Sequence, residues 1–355
     1  MRIDKFLAER IWGTRPPSVN FELSLSRQNN AVHESRIVLS LSLDHISPPL
    51  TCQICSSPCE PASETYDLGE VMAWWQANGH QLSSQVLEAY REAGRTTLFT
   101  CTNCGFGLFL PTITGSDEFY QEISGAAKGG YYSRDTWEHR RALAALQDGR
   151  KVLEIGCGAG FFLERLQSQG KEVQGLELNS AAANFASSRG VPVVKAAIEE
   201  FAPGHREEFD TVCFFQVLEH VAQPLVFFAS ALSCLKPGGR LFVSVPNMAG
   251  ILGRMAPLVS NIPPHHVSRW TPEALAQLAR RFHLPVISWG YEPAYNLLPA
   301  YWQEALNARG VPAWVYENRI WRFFQSLPLK LLRTFKPGGL ESLPGHTVYA
   351  IMIKE

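Results

Sequence analysis

Short apolar runs alternate with helical segments between residues 131 and 290, and this alternation is the strongest pattern in the chain. The run at 152–155 reads Val-Leu-Glu-Ile, which is typical of a strand covered on both faces. Strands and helices that alternate at this length predict right-handed crossovers and a mostly parallel, doubly wound α/β sheet. The predicted strands are 152–155, 172–177, 209–214 and 240–245, and the predicted helices are 161–169 and 225–235.

A glycine-rich turn follows the first predicted strand. Gly156, Gly158 and Gly160 let the backbone turn sharply and let a ligand lie directly on it, and the free N–H groups of the next helix point at that ligand. The spacing differs from Gly-x-Gly-x-x-Gly because Phe161 stands where the third glycine is expected. Glu177 ends the next predicted strand, and a carboxylate at that place can accept both hydroxyls of a ribose. An ordinary tight turn between strand and helix is the alternative.

The stretch Glu154-x-Gly156-x-Gly158-x-Gly160, followed by an acidic residue, resembles motif I of class I S-adenosylmethionine (SAM)-dependent methyltransferases. Leu-Glu-His-Val at 218–221 and Leu-Lys-Pro-Gly-Gly at 235–239 resemble later segments of the same family. The resemblance covers about residues 131–295 and the last strand. It implies a seven-stranded, mostly parallel Rossmann-like sheet, with SAM as the cofactor. Binding of NAD remains the alternative for the glycine segment.

The resemblance also implies which residues contact SAM. The glycine turn would hold the methionine and ribose portions, Glu177 the ribose, and residues 216–220 the edge near the sulfur. The family usually has an acidic residue where this chain has Ala197, so recognition of the adenine would depend on backbone atoms, on Ile198 or on Glu199. The expected cofactor-binding residues are Glu154, Gly156, Cys157, Gly158, Gly160, Glu177, Leu178, Ala197, Ile198, Gln216 and Glu219.

Three histidines are the candidate catalytic residues. His220 follows the predicted strand 209–214 at the edge of the sheet where ligands bind, and its imidazole can accept a proton from an acceptor near neutral pH. His265 and His266 follow a Pro-Pro pair and precede Thr271, a good helix N-cap. Methyltransferases with an N-terminal cysteine-rich module often carry a similar Pro-His-His stretch. The alternative is that these histidines only orient the loop and the following helix.

Four of the eight cysteines form two pairs with metal-ligand spacing. Cys52-x-x-Cys55 and Cys101-x-x-Cys104 can complete a tetrahedral structural Zn²⁺ site. Residues 51–125 are therefore predicted to form a zinc-ribbon-like module with a helical insertion at about 69–93, interrupted at 79–80. Cys59 is a weaker candidate ligand. The three remaining cysteines are expected to be small apolar residues in the fold: Cys157, Cys213 and Cys234.

Both ends of the chain extend beyond these two units. Residues 1–50 are expected to be an irregular segment, with a possible edge strand at 37–43. Residues 291–344 are expected to form a cap of two helices, at 295–308 and 313–335, before a final strand at 345–355. The cap is rich in aromatic and basic residues, so peripheral contact with a membrane or a lipid-like acceptor is an open alternative to a buried lid. No apolar run reaches the ~20 residues of a spanning helix.

Composition limits the class of partner. The formal net charge is −1 and 46% of the residues are hydrophobic, so the chain has no basic footprint for nucleic acid. The first residues lack the pattern of a signal peptide, and a cytoplasmic protein is expected. The predicted function is methyl transfer from SAM to a small-molecule acceptor, which could be a sugar, a polyketide or a quinone-like compound. The alternatives are an NAD-dependent oxidoreductase and a non-catalytic module that binds SAM or nucleic acid.

Overall fold

A computed structural model describes residues 50–124, 132, 135–145, 150–250, 252–254, 257–293 and 344–355. The expected irregular segment before residue 50 and the two expected cap helices lie outside these residues. No helix in the described ranges is long and apolar enough to cross a membrane.

Eleven strands and nine α-helices make up the described part of the chain. The strands are β1 Cys59–Asp67, β2 Arg95–Cys101, β3 Gly107–Leu110, β4 Lys151–Ile155, β5 Glu172–Leu176, β6 Val193–Val194, β7 Phe209–Phe215, β8 Leu235–Pro246, β9 Ser268–Arg269, β10 Val286–Pro293 and β11 Pro344–Ile353. The helices are α1 Leu68–Ala77, α2 Ser84–Ala93, α3 Asp117–Ser124, α4 Trp137–Ala145, α5 Phe161–Ser168, α6 Ser180–Ser188, α7 Ile198–Phe201, α8 Pro224–Cys234 and α9 Pro272–Arg281.

The larger sheet has seven strands in the order β10-β11-β8-β7-β4-β5-β6. Strands β4 to β8 pair in parallel, whereas β11 is antiparallel to both β8 and β10. The chain runs outward from β4 to β6 and then crosses back to β7 on the other side of β4. The topological switch point, where the strand order reverses, therefore lies between β4 and β7. Ligands of open α/β sheets bind at the carboxyl ends of the strands at such a point. The predicted seven-stranded, mostly parallel sheet is confirmed.

The segment 235–239 lies between the predicted helix 225–235 and the predicted strand 240–245, but it does not form a separate turn. It is already part of β8, which begins at Leu235, and the pairing with β7 shifts register between Phe209 and Thr211. Its backbone is paired with the last strand, because Gly238 donates to the Lys354 carbonyl at 2.6 Å and Lys354 donates to the Gly239 carbonyl at 3.1 Å. The glycines therefore bend a strand without ending it.

The N-terminal module has its own antiparallel sheet, in the order β1-β2-β3-β9. Its two helices, α1 and α2, are separated at the predicted interruption. The fourth strand, β9, comes from far along the chain, since Leu108 of β3 pairs with Ser268. Trp270, two residues after Ser268, is fully buried, and its ring centroid lies 4.8 Å from that of Phe106. The module and the larger sheet thus share one apolar core.

Candidate active site

The glycine turn lies at the carboxyl end of β4, next to the switch point. Gly156 and Gly158 have φ values of 71° and 53°, which favour glycine. A Cβ on Gly156 would lie 2.5 Å from Val217 Cγ2, and a Cβ on Gly158 would lie 2.5 Å from Tyr132 Cδ1. Glycine is therefore required at both positions by the backbone conformation and by the close packing of Val217 and Tyr132.

The carboxylate of Glu177 holds this turn in place. Gly158 N donates to its Oε2 at 2.7 Å, and Asn179 N donates to its Oε1 at 2.8 Å. Burial raises the pKa of Glu177, while these two backbone hydrogen bonds act against the rise. Each oxygen can accept a second hydrogen bond, so the predicted contact with two ribose hydroxyls fits this geometry.

Glu154 is a second carboxyl group under the turn. Its side chain is 3% exposed, and Oε2 has no hydrogen-bond partner among the described residues. Burial and the neighbouring charge of Glu177 raise its pKa well above the usual value. A cationic ligand would compensate two such acidic groups. These residues therefore fit SAM, whose sulfonium and ammonium groups are both positive.

The expected adenine contacts differ in how accessible they are. Leu178 is 58% exposed and can lie against a flat ring, and Ala197 is half-buried at the start of α7. Ile198 is 1% exposed and packs in the apolar core, so its side chain presents almost no surface to a ligand. Cys157 is also buried, and its N–H donates to the Leu176 carbonyl. Contacts at positions 157 and 198 would therefore come from the backbone.

The three predicted catalytic histidines meet in one cluster. The ring centroids of His220 lie 4.7 Å from those of both His265 and His266, which stack on each other at 4.6 Å. Burial lowers the pKa of His220 to about 4 and the pKa of the other two well below the usual value. All three imidazoles are therefore neutral at pH 7.

Each histidine is oriented by an oxygen next to its Nδ1 atom. Nδ1 of His220 lies 2.6 Å from the His265 carbonyl oxygen, and Nδ1 of His265 lies 2.7 Å from the Ser260 carbonyl oxygen. Nδ1 of His266 lies 3.0 Å from Asn261 Oδ1. Because a carbonyl oxygen only accepts, Nδ1 carries the proton in these rings and the lone pair is on Nε2.

Glu219, expected near the cofactor, lies beside this cluster. It is 1% exposed, and burial raises its pKa to about 8. Its Oε1 is 3.9 Å from Nε2 of both His220 and His266, which is too long for a hydrogen bond. Gln216, also expected near the cofactor, has a φ of 52° and donates to Thr347 of β11 at 3.3 Å.

The four cysteines with metal-ligand spacing are brought together, and one ligand atom from each lies within 4.8 Å of the others. Cys52 Sγ is 3.8 Å from Cys104 Sγ, and Cys55 Sγ is 3.4 Å from Cys101 Sγ. Four sulfurs at such separations fit a tetrahedral Zn²⁺ site. Cys59 is not part of this group; it begins β1 and pairs with Cys101 across the strands.

Several residues of the site were missed by the sequence analysis. Tyr132 covers Gly158, and its hydroxyl accepts from Asn179 Nδ2 at 3.2 Å. The hydroxyl of Tyr120 lies 3.0 Å from His220 Nδ1. Asn261 orients His266. Tyr120 and Tyr132 precede β4 and come from segments without a motif, so no local signal in the sequence points to them.

Comparison with known proteins gives the family of this region. A family model described as a methyltransferase domain matches residues 132–288. Ubiquinone biosynthesis O-methyltransferase of Aromatoleum aromaticum is 37% identical over 117 residues, which cover 31% of this chain and 49% of that protein. The Idiomarina loihiensis protein of the same name is 32% identical over 141 residues, which cover 37% of this chain and 55% of that protein.

The chain therefore spans about half the length of these curated relatives. A SAM-dependent methyltransferase from Archaeoglobus fulgidus, known from its crystal structure, is 21% identical with a TM-score of 0.44, over 62% of this chain and 95% of that one. The strand order and the glycine turn agree with the family match. Residues 132–288 therefore match the methyltransferase domain family, on a sheet with the strand order expected for a class I SAM-dependent methyltransferase.

Proposed function

We propose that the chain transfers a methyl group from SAM to a hydroxyl oxygen of a small, quinone-like or phenolic acceptor. The single observation that carries the cofactor assignment is the Gly158–Glu177 hydrogen bond, which joins the glycine turn to the ribose-binding carboxylate. The oxygen acceptor is supported by the relatives, whose names specify O-methyl transfer.

The residues of the site have separate tasks in this proposal. SAM supplies an electrophilic methyl group, and the protein contributes orientation and a dry environment. Glu177 binds the ribose hydroxyls, the glycine turn lies along the methionine portion, and Gln216 and Glu219 lie at the edge of the sheet where the acceptor approaches. His220, His265 and His266 face the acceptor, and a neutral imidazole there can take the proton that a hydroxyl loses on methylation.

We also propose that Cys52, Cys55, Cys101 and Cys104 bind a structural Zn²⁺ ion. The cysteine cluster is continuous with the core of the larger sheet through Phe106 and Trp270. Zinc bound there would stabilise the methyltransferase domain as well as the module. The ion would take no part in methyl transfer, because all four of its positions are filled by protein sulfur.

Calorimetric titration with S-adenosylhomocysteine, with NADH as the competing cofactor, tests the cofactor assignment. Glu177→Ala should abolish binding, whereas Glu172→Ala should leave it unchanged, because Glu172 is exposed at the opposite end of β5. Binding of NADH in place of S-adenosylhomocysteine would overturn the proposal.

Transfer of radiolabelled methyl from SAM to catechol, a free hexose or a β-diketone then tests the acceptor class. We expect catechol to be methylated on oxygen. Methylation of the sugar, or of the diketone carbon, would overturn the proposed acceptor while leaving the cofactor assignment in place.

A further inference from the structure

The position of Glu219 among the histidines is unusual for a structural side chain. The residue is almost fully buried, and neither carboxyl oxygen has a hydrogen-bond partner in the described part of the chain. Burying such a group without a partner is unfavourable. Two imidazole nitrogens lie at the same 3.9 Å distance from one of these oxygens, so the space between them is equally near to all three groups.

The tautomers of the histidines point to what occupies that space. The Nδ1 atom of each ring is oriented by an oxygen of the protein, so Nε2 carries the lone pair with which the ring would bind a cation. Histidines that bind metals are held in this way, with the other ring nitrogen donating to a carbonyl or amide oxygen. One ligand nitrogen from each of the three histidines lies within 4.8 Å of the others.

We propose that His220, His265 and His266, with Glu219 as a fourth ligand, bind a divalent metal ion of the Zn²⁺ type. Imidazole nitrogens and one carboxylate suit such borderline ions. Metal–nitrogen bonds of ~2.1 Å place tetrahedral ligand atoms roughly 3.4 Å apart. The two 3.9 Å separations of Glu219 Oε1 would contract by about 0.5 Å around the ion, and the three histidine nitrogens, which lie within 4.8 Å of one another, would approach by up to about 1.4 Å. This site is separate from the four-cysteine site.

The loop that carries two of the ligands is fixed against the segment that carries the others. Val267 N donates to the Glu219 carbonyl at 2.9 Å, and Ser268 Oγ donates to the Leu218 carbonyl at 3.3 Å. The N–H groups of His265 and His266 both donate to the Ile262 carbonyl at 3.1 Å. The four candidate ligands are therefore held together by the backbone before any ion binds.

Two of the three rings are partly accessible. The side chain of His220 is 20% exposed and that of His266 is 11% exposed. Val217, three residues before His220, contacts the cofactor turn at Gly156. A bound ion could bind an acceptor hydroxyl and favour its ionised form. Because the Nε2 lone pairs would then be bound to the ion, the ion would replace the imidazole base of the proposed function. This role depends on the proposed methyltransferase function, whereas the metal site itself does not.

Metal analysis of the purified chain, reconstituted with Zn²⁺ and desalted, tests the site. The wild type should retain one equivalent more than His266→Ala or Glu219→Gln. The matched control His205→Ala should keep the full amount, because His205 lies outside the cluster and stacks on Phe201. Glu219→Gln keeps the shape of the side chain and removes only its charge, so loss of metal in this variant would not be explained by misfolding. Thermal unfolding should show that each variant remains folded.

Substitution with Co²⁺ separates the two metal sites, because only the cysteine site gives a thiolate-to-metal charge-transfer band. His266→Ala should lose the visible cobalt absorption of the histidine site and keep the charge-transfer band. Cys101→Ser should lose the charge-transfer band and keep the visible absorption of the histidine site. Equal metal content in wild type and His266→Ala, with the charge-transfer band as the only cobalt signal, would overturn the proposal. Titration of the same samples with S-adenosylhomocysteine distinguishes the two proposals. If only the metal proposal is wrong, S-adenosylhomocysteine still binds. If only the cofactor proposal is wrong, the metal content is still as expected.

Discussion

Arg269 donates two hydrogen bonds to the carboxylate of Glu64, from Nη1 to Oε1 at 2.6 Å and from Nη2 to Oε2 at 2.7 Å. The pair joins β1 of the cysteine-containing sheet to β9, which follows the histidine loop. The guanidinium also lies 5.2 Å from the ring centroid of Phe109, and the Arg269 side chain is 10% exposed. Such bidentate pairs restrict geometry as well as adding energy, so this contact fixes the loop containing His265 and His266 against the module.

Replacing Arg269 with Gln should destabilise the fold by about 2 kcal/mol, because it removes two charge-assisted hydrogen bonds and leaves a half-buried carboxylate. Urea unfolding measures the loss. The control is Arg280→Gln, whose pair with Glu273 is exposed, with side chains 61% and 50% accessible. The control should change stability by less than ~1 kcal/mol. Equal effects for the two variants would contradict the structural role of the Arg269–Glu64 pair.

The same pair predicts a dependence of stability on pH. Burial alone would raise the pKa of Glu64, but the hydrogen bonds and charge of Arg269 outweigh it and hold the pKa below its usual value. A carboxyl group with a lowered folded-state pKa contributes stability above its unfolded pKa of ~4.3 and loses it as the pH falls through the folded value. The difference in unfolding free energy between wild type and Glu64→Gln should be constant near neutral pH and shrink below about pH 4. A difference that grows on acidification would contradict this assignment.

Gly158→Ala should weaken binding of S-adenosylhomocysteine by roughly tenfold or more, because a left-handed backbone costs a non-glycine residue ~1–2 kcal/mol. The added Cβ would also meet Tyr132 at 2.5 Å. Calorimetry provides the measurement. Gly204→Ala is the matched control, since a Cβ there meets nothing within 4 Å. Unchanged affinity in Gly158→Ala would mean that the cofactor does not depend on this turn.

Cys101→Ser should remove zinc and lower the melting temperature of the whole chain, because structural zinc sites contribute folding free energy directly. The control Cys59→Ser should keep its zinc, since Cys59 lies outside the four-sulfur group. Metal analysis together with thermal unfolding checks both variants. Loss of zinc only in Cys59→Ser would show that the ligand set is wrong. Wild-type stability in metal-free Cys101→Ser would show that the site does not stabilise the fold.

The sequence predicts the structure best where residues close together in the chain determine it. The buried run at 152–155, the glycines after it and Glu177 predict a local structure that needs few distant partners, and β4, the turn and β5 have that structure. The two cysteine pairs could also be recognised locally, because the two residues of each pair are only three positions apart.

Residues that depend on distant partners could not be predicted in this way. Ser268 and Arg269 have no strand pattern of their own, and they form β9 only because β3 lies beside them. Tyr120 and Tyr132 reach the site through α3 and the segment before β4, and nothing next to them in the sequence shows their targets. Strand β8 begins at Leu235, before the predicted start at residue 240, because pairing with Lys354, more than a hundred residues away, outweighs the turn preference of Lys-Pro-Gly-Gly.

The strand β9 has a consequence for how such enzymes can be recombined. A fragment that starts at residue 132 would contain every cofactor motif, yet its β9 would lack the partner strand that fixes the chain just after the histidines. A chimaera joined at that apparent boundary would keep the glycine turn but lose the strand pairing that positions His265 and His266. In engineering or in evolution, the cysteine-containing segment and the loop at 259–269 should therefore be exchanged together.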